Sequence, residues 1–199
     1  MDLFNTSELV CGIDEAGRGP WAGPVTAGAV ILGRDHAIEG LTDSKKLSEK
    51  KREKLEPIIK AQAIAWGLGW ASPEEIDRLN IRQATHLAMR RAVKALSTQP
   101  SYALVDGNDM PSGLGCKGET IIKGDLKEPA ISAASILAKT ARDRLLVELD
   151  ENYPGYGFAG HKGYGTAAHS EALSSLGPCE AHRMSFAPVR KAAAAKINA

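Results

Sequence analysis

Four acidic residues stand where this 199-residue chain could do chemistry. Asp14 and Glu15 are adjacent in "GIDEAGRGPWAGP", Asp106 closes the apolar run of "SYALVDG", and Asp125 lies in "KGDLKEP", just ahead of the clearest helical pattern in the chain. Asp106-Gly107 is also a good turn dipeptide, and Asp125 would suit a turn or a helix entry. Asp14 resists so plain a reading. With Glu15 beside it, two charges sit at the end of a would-be core strand, and burying an ionised carboxylate is costly unless a cation neutralises it. Several carboxylates at strand ends with no histidine among them suit hard, oxygen-seeking ions such as Mg²⁺ or Mn²⁺. Two such ions, roughly 3.5–4 Å apart, activate water and stabilise the leaving oxygen in phosphodiester cleavage.

Other chemistries fit the motifs less well. Gly17-x-Gly19-x-x-Ala22 satisfies the loose dinucleotide fingerprint, which works only where a helix begins at the glycines. Here Pro20 and Pro24 intervene and a β-branched strand follows. "GLGCKGET" has a lysine among glycines but lacks the P-loop spacing. No His-x-x-x-His pair offers a zinc site. Cys11, Cys116 and Cys179 are far apart, which fits reduced thiols.

The acids belong to longer stretches. "GIDEAGRGPWAGPV", "LTDSKKLS", "LVDGN", "KGDLKEPAISAASILAKTARD", "GHKGYGT" and "HRMSFAPV" together resemble, in order and over nearly the whole chain, the signatures of the type 2 ribonucleases H. The resemblance implies an α/β, ribonuclease H-like fold: a five-stranded mixed sheet flanked by helices, with a helical carboxy-terminal part. It implies a single catalytic domain over residues 1–199, with a helical extension from about residue 160. The implied activity is cleavage of the RNA strand of RNA–DNA hybrids and nicking 5′ to single ribonucleotides in duplex DNA. Two ions, Mg²⁺ or Mn²⁺, would serve it, leaving 3′-OH and 5′-phosphate ends. The family's acids fall on Asp14, Glu15, Asp106 and Asp125. Gly17, Arg18 and Gly19 are implied to contact the ribose 2′-OH, Tyr164 to stack on the sugar at the RNA-to-DNA junction, and Lys45 and Lys46 to contact phosphate. Reading a 2′-OH is how a protein tells RNA from DNA at one position. A related nuclease or transposase with another substrate would keep the carboxylates without Gly17-Arg18-Gly19 and Tyr164. A non-catalytic hybrid-binding module would tolerate loss of Asp106. The expected partners are RNA–DNA hybrids and DNA duplexes containing ribonucleotides, for a monomer with no membrane attachment.

These residues need elements to position them. The net charge of +1 says little of partners, but residues 41–60 and 160–199 each carry a local excess of three positive charges, which permits a phosphate partner without demanding one. No apolar run approaches the roughly 20 residues of a membrane span, and the first ten residues lack the pattern of a signal peptide, so a cytoplasmic protein is expected. Residues 10–14 and "VTAGAVIL" read as strands too closely joined to be other than an antiparallel hairpin. "AIAWGLGWA" alternates large and small residues, leaving a small face that an opposing element can approach closely. "SYALVDG" and "GETIIKGD" supply two more strands. Ser48 caps a helix that Pro57 should kink or shorten. Ser72 with Glu75 forms a capping box behind Pro73, and Ile81, Ala84, Ala88, Ala92 and Ala95 mark a helical stripe. In "PAISAASILAKTARDRLLVELDENY" the stripe runs through Ile131, Ala134, Ala138, Ala141, Leu145 and Leu149. A Gly- and aromatic-rich loop, "YPGYGFAGHKGYGT", precedes a last helical stretch and a basic, Ala-rich tail, to which nothing is assigned beyond Val189.

Overall fold

The structure, a computed structural model, describes residues 9–197, with no side-chain environment given for residue 197. The expected hairpin is present: β1 (Val10–Ala16) and β2 (Val25–Leu32) run antiparallel, with Cys11 opposite Ile31 and Ala16 opposite Thr26. β3 (Ala63–Ala71) pairs antiparallel with β2. On the other side of β1, β4 (Tyr102–Asp106) and then β5 (Lys117–Ile121) add in parallel. The result is one mixed five-stranded sheet in the order β3-β2-β1-β4-β5.

Both faces of the sheet are covered. On one lie α2 (Pro73–Leu79) and α3 (Ile81–Lys94), where Ala84, Ala88, Met89 and Ala92 pack with Cys11, Ile13, Ala27, Ala29 and Val105. On the other lie α1 (Glu49–Gln62) and the first half of α4 (Pro129–Asn152), where Ile59, Ala133, Ala134 and Leu137 pack with Val30. Glycines set how close the helices come. A Cβ on Gly69 would lie 2.1 Å from the Ala88 carbonyl, and one on Gly12 2.2 Å from the backbone of Ala130. Even alanine at Gly12 would push α4 off the sheet, an overpacking cost of about 1–3 kcal/mol. The small face of β3 is the face α3 occupies, as the alternation predicts, and Trp66 and Ile64 on the large face stay partly in solvent.

A third apolar cluster forms beyond the sheet, where Leu146 of α4 meets Ala22, Tyr156, Phe158 and Ala181. It joins α5 (Phe158–His161) and α6 (Ala167–Leu176), and α7 (Ala187–Ile197) packs against α6. Among the described residues no helix is long and apolar enough to cross a membrane.

Four local expectations are corrected. Pro57 does not shorten α1, which runs on to Gln62; Pro57 is exposed, so the carbonyl it leaves unpaired can face water. The helical stretch after the capping box is two helices, broken at Asn80, whose φ of 70° ends one and whose side chain caps the next. In the second half of α4 the buried positions are Arg142, Asp143 and Leu146 rather than Ala141, Leu145 and Leu149. The aromatic loop contains a helical turn, α5, instead of being irregular throughout.

Candidate active site

Strand pairing brings two of the acids together. β1 and β4 are parallel neighbours, with Ile13 beside Val105, so Asp14, two residues before the end of β1, and Asp106, the last residue of β4, lie side by side. Cys11, Ile13, Ala103 and Val105 all belong to the core under α3. By the two-residue period, Asp14 and Asp106 therefore face the α4 side and Glu15 the α3 side. β1 does not break before Glu15, which stays in register opposite Ala27. Asp125 comes from a 3₁₀ turn (Gly124–Leu126) just ahead of α4. The Gly124 N–H donates to Asp106 Oδ1 at 2.7 Å, and the Ser132 hydroxyl of α4 donates to the Asp125 carbonyl at 2.7 Å. The close approach of α4 at Gly12 and Gly28 also sets Ser135 against Asp14.

The carboxylates feel one another. Burial, then the Glu15 and Asp106 charges, push Asp14 well above the usual carboxylate range, against a hydrogen bond from Ser135. Burial also raises Glu15, with Asp106 adding to it and Arg18 and Lys45 opposing. Burial followed by Asp106 and Asp43 raises Asp125. One lysine faces the whole group: burial lowers the Lys45 ammonium, but Asp14, Asp43, Asp125 and Glu15 outweigh that and hold it above its ordinary value. Lys45 is delivered by a 3₁₀ turn (Ser44–Lys46) capped by Asp43, whose Oδ1 accepts the Lys45 N–H at 2.9 Å. Arg52 of α1 pins that turn through the carbonyls of Ser44 and Leu47. Lys46 is exposed at the end of the turn.

One ammonium among five carboxylates leaves a surplus of negative charge. Among the described residues no three His, Cys, Asp or Glu side chains already close around a point as a finished metal cage. The donor set nevertheless fits a hard divalent ion: it is all oxygen and partly buried, and burial together with neighbouring carboxylate charge raises Asp14, Glu15 and Asp125, which a cation would relieve.

The other residues singled out in the sequence line an open cleft of about 460 Å³ beside the acids: Glu15, Gly17, Arg18, Gly19, Lys45 and Tyr164 all face it. Glu15 and Arg18 also border a smaller neighbouring hollow with Asp106. Arg18 reaches Glu15 at 3.4 Å, a loose and half-exposed pair worth little in water. Gly17 has φ of 94°, and a Cβ there would strike Arg142. Tyr164 is 42% exposed, with Lys139 5.9 Å from its ring centroid.

Two residues that the sequence reading left unassigned hold this loop from behind. Arg142 and Arg183 are fully buried. Arg142 donates to the carbonyls of Ala22, Pro24 and Lys162 at 3.0–3.1 Å. Arg183 donates to those of Gly17, Arg18 and Gly23 at 2.6–2.9 Å. Burial lowers them to about 10 and about 9, so both stay charged near neutrality. Asp43 was also missed, because an aspartate before a short turn reads as a cap. A signal for Arg142 existed in its place four residues after the buried Ala138, on the face of α4 that should be apolar.

A sequence model of the family described as Ribonuclease HII matches residues 11–189. The chain is 60% identical over 196 residues to a ribonuclease HII of Hyphomonas neptunium, covering 92% of this chain and 95% of that protein. It is 60% identical over 199 residues to one of Caulobacter vibrioides, covering 100% of this chain and 94% of that one. The fold is similar to the crystal structure of ribonuclease H2 from Pyrococcus horikoshii, with a TM-score of 0.80 at 26% identity over 96% of this chain and 99% of that one. Ribonucleases HII use divalent metal ions, Mg²⁺ or Mn²⁺. The mixed sheet, its flanking helices and the helical carboxy-terminal region are the ribonuclease H-like fold, and the chain belongs to the ribonuclease HII family, endoribonucleases acting on RNA–DNA hybrids.

Proposed function

We propose that the protein cuts duplex DNA on the 5′ side of single embedded ribonucleotides as well as cleaving hybrids, and that it does so as a monomer with two divalent ions. Asp14 and Asp106 would hold the ions at the ends of β1 and β4, with Asp125 and Glu15 completing the ligand set from either side. When bound, such ions supply a water of lowered pKa and stabilise charge on the leaving oxygen. The observation that carries this reading is the single cleft that puts Gly17, Arg18, Gly19, Lys45 and Tyr164 next to that acidic edge. Arg183 holds the Gly17 and Arg18 carbonyls from behind, and Gly19, where a Cβ would lie 3.8 Å from the Tyr164 ring, leaves room for a sugar edge to approach the loop.

Lys45, already held among carboxylates, would move its charge to an incoming phosphate as metal ions take over the acids. Lys46 and Arg18 would add phosphate contacts that position the strand without reading its sequence. Tyr164 would stack on the sugar following the ribonucleotide, a position any base can occupy. The 2′-OH is then the only feature read chemically, and the ends produced are a 3′-OH and a 5′-phosphate.

The test is incubation with Mg²⁺ and labelled duplex DNA carrying one ribonucleotide, beside an all-DNA duplex. A single nick 5′ to the ribonucleotide, with none in the control, is the expected result. Cleavage of long hybrids alone would confine the activity to hybrids and remove the role given to Tyr164.

A further inference from the structure

Behind Tyr164, on the side away from the cleft, three histidines are packed among aromatic rings. His169 is fully buried and His182 is 2% exposed. The rings of His161 and His169 stack at 4.3 Å and 11°, with Phe158 edge-on to His169 at 5.6 Å and Trp21 at 5.3 Å. No part of the acidic edge touches them, and the hydrolytic chemistry above has no use for them.

Their protonation can be read from what they face. The Cys179 N–H points at His182 Nδ1 from 3.0 Å, so that nitrogen accepts, and in a neutral ring Nε2 carries the proton. At the far end His169 Nδ1 lies 2.9 Å from the Tyr164 carbonyl, which only accepts, so His169 Nδ1 carries the proton and its Nε2 is an acceptor. The two assignments are independent, and they meet. His182 Nε2–H faces His169 Nε2 at 3.0 Å, donor to acceptor. A continuous chain of hydrogen bonds thus runs one way, from Cys179 N–H through His182 and His169 to the Tyr164 carbonyl. A proton added to the pair would set two N–H groups against each other at that 3.0 Å contact. Burial, with the neighbouring histidines, lowers His169 and takes His182 to about 4, which keeps the chain neutral near pH 7.

The same segment is fixed elsewhere by its backbone. Tyr164 N–H donates to the His161 carbonyl at 2.9 Å, and Thr166 N–H donates to the Tyr164 carbonyl at 2.9 Å. Gly163 N–H donates to His161 Nδ1 at 3.1 Å, and His161 Nε2 donates to the Tyr156 carbonyl at 2.8 Å. On either side Gly163 and Gly165 lie so close to Ala22 and Trp21 that a Cβ would collide. The Tyr164 ring itself is 42% exposed, with the Lys139 ammonium 5.9 Å from its centroid. Its direction is therefore set from the main chain, at the carbonyl where the histidine chain ends.

We propose that His169 and His182 are positioning residues for Tyr164, and that their one-way hydrogen-bond chain sets how well the enzyme selects a lone ribonucleotide over a long hybrid. This rests on the reading of Tyr164 as the residue that meets the junction sugar. A hybrid presents ribose at every step and tolerates an inexact ring. A lone ribonucleotide gives one register only, and misplacement on the ångström scale is felt there.

The test has two parts. Nitrogen NMR of the imidazole rings in the wild-type protein should show His169 protonated on Nδ1 and His182 on Nε2; a His169 protonated on Nε2 overturns the proposal without any variant. Selectivity is then measured as the ratio of kcat/KM on a single-ribonucleotide duplex to that on a long hybrid. His169→Phe keeps a ring but no donor, and should lose selectivity about tenfold. His169→Asn keeps a donor near the Nδ1 position and should recover most of it; an Asn variant as unselective as Phe overturns the proposal. Tyr164→Ala should lose selectivity by itself, and adding His169→Phe to it should remove nothing further. If Tyr164→Ala is unselective but His169→Phe is not, the histidine chain is only scaffold and the reading of Tyr164 survives. If Tyr164→Ala keeps full selectivity, that reading fails and the proposal goes with it.

Discussion

Asp14 and Asp125 are 6% and 8% exposed, while Arg142 and Arg183, which hold the carbonyls of the loop that follows β1, are completely buried. Both places hold like charges in a poor solvent, but they are compensated differently. Each guanidinium is satisfied by three main-chain carbonyls, fixed dipoles that leave no N–H fork pointing at nothing. The acids have only Lys45 and, at Glu15, a loose Arg18 to offset them, and burial followed by their neighbours' charge keeps Asp14 and Asp125 raised. Buried charge that is fully hydrogen-bonded is scaffold. Buried charge left short of a counter-ion is ready to take one from outside, and here the ready-made scaffold lies directly behind the loop that the unfinished site adjoins.

Neutralising an acid should therefore harm activity and help the metal-free fold. Asp14→Asn and Asp106→Asn are each expected to abolish cleavage while duplex binding largely persists, because a metal-binding charge matters more to the transition state than to the ground state. Thermal unfolding of metal-free Asp14→Asn should occur no lower than in the wild type, since a repelling charge is gone. Near-wild-type cleavage by either variant at saturating Mg²⁺ would undo the assignment of these residues.

Arg183→Met should behave in the opposite sense. It strands three buried carbonyls, at about 1–3 kcal/mol each, so a loss of several kcal/mol in denaturant unfolding is expected. Cleavage should fall by about 10²-fold as the 17–19 loop shifts, and added metal should restore none of it. A variant as stable as the wild type would mean the arginine is not scaffold, and the contrast with the acids would collapse.

Much of this was visible in the sequence because it obeyed simple periods. Strict alternation in "AIAWGLGWA" marked β3 and its closely approached small face, and apolar runs ending in Asp14 and Asp106 marked β1, which continues two residues beyond Asp14, and the end of β4. What stayed hidden broke the same rules for physical reasons. A periodic pattern can flag Arg142 as a charge on an apolar helix face but cannot find its partners, carbonyls 20 to 120 residues away. Asp43 looked like a cap and is one, yet its charge also acts on Asp125 and Lys45. The tautomers of His169 and His182 depend on a backbone N–H and a carbonyl that only the folded chain brings to them.

The raised acids also give the contrast a pH signature. For an acid raised on folding, the folded state holds the proton more tightly, so its contribution to stability is present at low pH and lost as pH rises through the folded pKa. Metal must displace those protons, so affinity runs the other way. Half-saturation of the Mg²⁺-induced thermal shift should move to higher metal concentration as the pH is lowered from neutrality, by up to about tenfold per pH unit for each proton displaced. His182, held down to about 4, has the opposite sign in stability, its neutral form being lost on acidification. Comparing metal-loaded with metal-free protein at each pH cancels that contribution. A midpoint that ignores pH would place the ion away from Asp14 and Glu15.

Glu15 gives the smallest and sharpest test, because it borders both regions. A strand that ended before it could have turned Glu15 beside Asp14, but β1 continues in register through Ala16, leaving the two side chains on opposite faces. Glu15 stands at the lip of the cleft with Arg18 3.4 Å away, whereas Asp14 is set between Asp106 and Ser135. Its reach to an ion held on the Asp14 side is therefore indirect, through a bound water or its own carbonyl, both acceptable to a hard cation. Glu15→Gln keeps the shape and a hydrogen-bonding oxygen while losing charge. It should lose about tenfold in cleavage at modest metal, in the range of residues that support ligands rather than bind directly, and regain much of that as Mg²⁺ or Mn²⁺ is raised. Asp14→Asn should stay inactive throughout the same titration. Equal inactivity of the two variants at every metal concentration would make Glu15 a direct ligand, and the end of β1 would then have to rearrange when metal and substrate bind.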